Sequence, residues 1–61
     1  MKNQLFKIHI YKENDYYISQ CLNPDISSFG KNKQEAIQMM NEALSLYFEK
    51  NIDKNMLQIF E

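Results

Sequence analysis

The sequence predicts an α+β fold: a three-stranded antiparallel meander with one helix packed on one face, and a possible short fourth strand at the C-terminal end, in the order β-β-β-α-β. Three observations carry this expectation. Phe6, Ile8 and Ile10 alternate with Lys7, His9 and Tyr11, the period of a strand with one buried face. A second segment rich in aromatic and β-branched residues follows a short polar break. Between Ala36 and Tyr47 the apolar residues recur at helical spacing. The 61 residues form one domain, 1–61. A chain of this size buries only about 60% of the surface its unfolded form exposes, so it is marginal alone.

The first strand is expected over residues Gln4 to Lys12, and Lys12-Glu13-Asn14-Asp15 is turn-prone. Asp15 to Leu22 is the second strand, hairpin-paired to the first. Asn23-Pro24-Asp25 closes it, because proline cannot donate to a ladder. Ile26 to Phe29 is a short third strand. Gly30, the only glycine, follows it and is expected to supply a positive φ at the corner. Asn32 is a good helix N-cap, and Glu35 three residues on can reach back to it. Ala36, Ile37, Met40, Ala43, Leu44 and Tyr47 then form the core face of a helix running to about Lys50. Residues 51–55 break the helix, and Met56 to Phe60 reads either as a last strand or as a frayed tail. As a strand it would return beside the first, in parallel.

Composition narrows the function. The chain has no Arg and a net charge of -1. Nucleic-acid binders usually carry a basic stripe in which Arg reads phosphate and guanine. Direct binding of nucleic acid is therefore disfavoured. The single Cys21 allows neither an intrachain disulfide nor a zinc cluster. A cytoplasmic location is expected, because small secreted domains are usually disulfide-stapled. No leader and no apolar run long enough to cross a membrane is present.

No catalytic, cofactor-binding or metal-binding constellation stands out. His9 paired with Cys21 or Asp15 would be the catalytic reading, but no positioned base or oxyanion site accompanies them. Cys21 is more often a small buried apolar residue than a reactive thiol. Glu35, Glu42 and Glu49 repeat every seven residues along a solvated helix face. The informative feature is the sheet. If the helix covers Tyr16, Ile18 and Leu22, then Tyr17, Ser19 and Cys21 face outward beside Leu5, His9 and Tyr11. That outer face, with Leu5, His9, Tyr11, Tyr17 and Cys21 as candidate contact residues, suggests a protein interface, since Tyr is enriched in interface cores. Scattered surface aromatics are the plainer alternative.

The stretch from Asp15 to Glu49 resembles the HicB-like antitoxin family of type II toxin–antitoxin systems. Asp15-Tyr16-Tyr17-Ile18-Ser19 is similar to the family's D-G-Y-Y-V-A strand. Cys21-Leu22-Asn23, Asp25-Ile26, Ser28-Phe29-Gly30-Lys31 and Glu35-Ala36 follow in the family's order. Glu42-Ala43-Leu44, Leu46-Tyr47-Phe48 and Glu49 match its E-A-L-x-L-Y-x-E helix end. The departures are Asn32 where the family usually has Thr, the missing Gly before Tyr16, and Pro24 in the loop. The resemblance implies a degenerate RNase H-like domain without nuclease chemistry. It further implies a short form lacking the family's DNA-binding domain, and an antitoxin that covers the active site of a small basic HicA-like mRNA interferase. An orphan module that self-associates into a homo-oligomer, or a small residual nuclease, are the alternatives.

Overall fold

A computed structural model describes residues 5–61; Gln4, where the first strand is expected to begin, lies outside the described residues. Strand β1 (Phe6–Glu13) turns through Asn14 and Asp15 into β2 (Tyr16–Leu22), and β2 turns through Asn23 and Pro24 into β3 (Asp25–Gly30). Helix α1 (Lys33–Phe48) follows, then a 3-10 turn (Lys54–Met56) and β4 (Leu57–Phe60). The sheet order is β3-β2-β1-β4, with β1–β2 and β2–β3 antiparallel and β1–β4 parallel. The C-terminal segment is thus a strand, not a frayed tail. The fold is α+β, a mixed four-stranded sheet with one helix on one face.

Alternation in β1 buries Phe6, Ile8 and Ile10 against α1. Cys21, Met40, Leu44, Ile52 and Leu57 complete the cluster. On the helix, Ala36, Met40 and Leu44 are fully buried at four-residue spacing. The same step leads to Phe48, whose ring lies 5.4 Å from that of Phe6. Tyr47, expected in the core, is instead exposed, because a three-residue step from Leu44 rotates it off the buried stripe.

The helix start is capped as its residues dictate. The Glu35 amide donates to Asn32 Oδ1 at 2.8 Å. Glu35 Oε1 accepts from the Lys31 amide at 2.6 Å, one residue further back than a capping box would reach. The helix ends at Phe48, two residues short of the expected Lys50. Glu49 takes the left-handed conformation (φ 55, ψ 43). Its amide donates to the Leu46 carbonyl, and the Lys50 amide donates to that of Ser45. This is the Schellman arrangement, with Glu where Gly is usual. Ser45 then ties down the exit: its hydroxyl donates to the Asn41 carbonyl and accepts from the Ile52 amide at 3.2 Å, seating Ile52 in the core. An exposed Lys33–Glu61 ion pair joins the helix start to the end of β4; the bonded carboxylate holds the Lys33 ammonium above its usual pKa. Exposed pairs of this kind add little stability.

Gly30 does not have the positive φ expected of it. Its role is close approach. A Cβ there would lie 2.6 Å from the Ala36 amide nitrogen and 2.8 Å from Glu35 Cβ. The positive φ values fall on Asn14 and Glu49 instead.

Two substitutions test these points by chemical denaturation. Gly30→Ala forces α1 away from the sheet and should cost about 1–3 kcal/mol. Glu49→Gly relieves a left-handed residue with a side chain and should stabilise by about 0.5–1 kcal/mol.

Candidate interaction surface

The helix leaves one face of the sheet uncovered, and register decides which residues occupy it. Residues directly opposite on neighbouring strands point to the same face. The two-residue turn at Asn14 and Asp15 sets Glu13 against Tyr16, hence Tyr11 against Ile18 and His9 against Gln20. β3 continues the rows: Phe29 lies opposite Ile18 and Ser27 opposite Gln20. On the other side Phe60 of β4 lies opposite His9. One row of the open face therefore reads Tyr11–Ile18–Phe29, and the next reads Phe60–His9–Gln20–Ser27.

The rows are held by contacts of their own. Tyr16 packs edge-on against Phe29 with centroids 5.8 Å apart, and His9 stacks on Phe60 at 5.4 Å. Gln20 Nε2 donates to Asp25 Oδ1 at 3.0 Å and to the Cys21 carbonyl at 3.1 Å. Despite these contacts the large apolar groups remain open to solvent: Leu22 is 70% and Phe29 62% exposed, with Tyr11, Tyr16, Leu5 and Phe60 also exposed. Isolated surface apolar residues are ordinary, whereas a contiguous patch marks a contact site.

Of the five candidate contact residues, His9 and Tyr11 lie on this open face, and Leu5, exposed, immediately precedes β1. Tyr17 and Cys21 do not lie there. Cys21 pairs with Ile8 and Ser19 with Ile10, so Tyr17, Ser19 and Cys21 belong to the helix-covered face. Cys21 is 1% exposed and free, and Tyr17 is half-buried beside the helix start. The set expected beneath the helix, Tyr16, Ile18 and Leu22, is the set that faces out. The cause is volume. The Ser19 hydroxyl donates to the Ala36 carbonyl at 3.0 Å, and Ser28 and Gly30 are its small neighbours across β3. An isoleucine or leucine at those points would hold the helix off the sheet.

Hydrophobicity along β2 pointed to the wrong face; the parity of the hairpin turn pointed to the right one. With two residues in the turn, Tyr16 must share a face with Glu13, Tyr11 and His9. Tyr16, Leu22, Phe29 and Phe60 are the contact candidates that hydrophobicity alone missed.

A second feature borders this face. An apolar groove of about 380 Å³ runs along the free edge of β3, lined by Tyr16, Phe29, Gly30, Lys31, Glu35 and Met39 among others. For catalysis the arrangement offers little convergence. His9 and Cys21 point to opposite faces, and Asp15 and Asp25 stand at opposite ends of β2. Among the described residues no group of three His, Cys, Asp or Glu side chains is placed to hold a metal ion. Among the same residues no helix is long and apolar enough to cross a membrane. In comparisons with known proteins, no family model, curated protein or solved structure matches the chain.

The covered position of Cys21 has a direct check. A thiol reagent such as Ellman's should label it in native protein only at the rate of local opening, and at once in denaturant. Rapid stoichiometric labelling of native protein would put Cys21 on a surface.

Proposed function

We propose that this chain is a protein-binding module of the HicB-like antitoxin kind, acting in the cytoplasm on a small basic HicA-like mRNA interferase and covering that enzyme's active site. The observation that carries the reading is the uncovered sheet face, which carries Tyr11, Tyr16, Leu22, Phe29 and Phe60, each exposed to solvent. Aromatic side chains bring large contact area, and they are enriched among the residues that dominate binding energy. The motif order from Asp15 to Glu49 supplies the choice of partner. The module binds rather than catalyses: His9 and Cys21 face opposite ways, and Asp15 and Asp25 stand at opposite ends of β2. RNase H chemistry would need carboxylates gathered around two metal ions.

The reading predicts a small basic protein in the neighbouring reading frame, and the test is a binding titration against it, with RNA cleavage by that protein as a second readout. Wild-type chain should bind and suppress cleavage. Tyr11→Ala and Phe60→Ala should each weaken binding by about 2 kcal/mol where they act as central anchors, with the unfolding midpoint little changed. Absence of a complex, or RNA cleavage by the purified chain itself, defeats the proposal.

A further inference from the structure

We infer that the free edge of β3 is a self-pairing edge, on which a second copy of this chain adds its own β3 antiparallel and joins the two sheets into one of eight strands. The inference rests on the edge and its groove, not on the reading of the open face.

Of the two outer strands, β3 has six residues and β4 four. Natural sheets blunt an exposed edge with inward charges, lysines, prolines or bulges. Within β3 the only charged residue is Asp25, at its first position, and Pro24 lies outside it. The edge is also not closed by the helix, because the groove beside it is open and apolar, with Phe29 and Tyr16 on one wall and Met39 on the other. Phe29 and Met39 are both exposed there.

The second copy is favoured as occupant because the edge is complementary to itself. Antiparallel partners that share a face have register sums that are even, so a two-fold axis must lie between the two copies of one β3 residue. An axis at Ser28 sets Ser28 against Ser28 and Ile26 against Gly30. It pairs Ile26 to Gly30 along the edge, and because Lys31 directly follows β3 it brings the Lys31 ammonium of each copy toward the Asp25 carboxylate of the other. The two Phe29 rings then lie diagonally across the axis, within aromatic reach. An axis at Ser27 would bring Pro24, which has no amide hydrogen, opposite Gly30 and set Phe29 against Asp25. An axis at Phe29 would shorten the paired stretch and leave Asp25 without its opposite charge. Charge and proline together select Ser28 over Ser27, and length selects it over Phe29. Asp25 already accepts from Gln20 through one oxygen; the other oxygen and the full charge remain for Lys31.

Sedimentation equilibrium of the whole chain tests this. Wild-type protein should approach twice its 7.4 kDa mass as concentration rises. Asp25→Lys and Lys31→Asp, each placing like charges opposite one another at two symmetric points, should each weaken dimerisation about tenfold. The double exchange should restore it, and circular dichroism should show all three variants folded. A 7.4 kDa species at every concentration overturns the inference. So does a dimer indifferent to either single reversal, or a double variant that fails to recover. A dimer lost on Phe60→Ser but kept in the charge variants would place self-contact on the open face and equally defeat it.

Discussion

Helix α1 lies on this sheet through a contact that admits almost no side chain. At Gly30 there is no room for a Cβ against Ala36 and Glu35, and Ser19 reaches the Ala36 carbonyl with its hydroxyl. Gly30, Ser19 and Ala36 form a seam at which backbone meets backbone, while Phe6, Ile8, Met40 and Leu44 fill the wider gap further along. A buried hydroxyl at the seam would be costly without its acceptor. With the acceptor in place it fixes where along the sheet the first turns of the helix sit. The Asn32 and Glu35 cap works in the same place, since it orients those turns as they leave Gly30.

The seam has a consequence for the opposite side. Strand residues alternate between faces, so small residues on the helix side put the intervening, larger ones on the other. In β2, Ser19 and Cys21 go under the helix, and Tyr16, Ile18 and Leu22 go out. In β3, Ser28 and Gly30 go under, and Phe29 goes out. Strand parity therefore fixes which positions face out, though not that they be apolar. Replacing those residues with polar ones would leave the helix-side core unchanged, so packing on the helix does not account for the aromatics on this face.

Much of the architecture is legible in residue pattern: the alternation of β1, the Asn32 cap and the helical stripe follow from spacing, whereas residues 56–60 read equally as a strand or a frayed tail. What was not legible depends on volume and on backbone conformation. Apolar rank places Ile18 and Leu22 above Ser19 and Cys21, but a closely packed helix selects by size. Gly30 at a corner resembles a residue chosen for its φ, yet it is required for the space it leaves empty. The left-handed position falls on Glu49, so no glycine or proline announces where the helix stops. Tyr47 and Phe48 are adjacent aromatics, and only the phase of the Ala36–Met40–Leu44 stripe tells which one turns inward.

The open face and the β3 edge use different groups, which is why they can serve different contacts. The face presents side chains perpendicular to the sheet. The edge presents main-chain donors and acceptors within its plane. A strand added at β3 extends the sheet without covering the row Tyr11–Ile18–Phe29 from above. Phe29 and Tyr16 are large side chains common to both, standing on the face and lining the groove at its edge. Substitutions that separate face from edge must therefore avoid both residues. Tyr11 and Phe60 lie toward the far side of the sheet, and Asp25 and Lys31 lie at the ends of the edge. Those four positions report on face and edge independently.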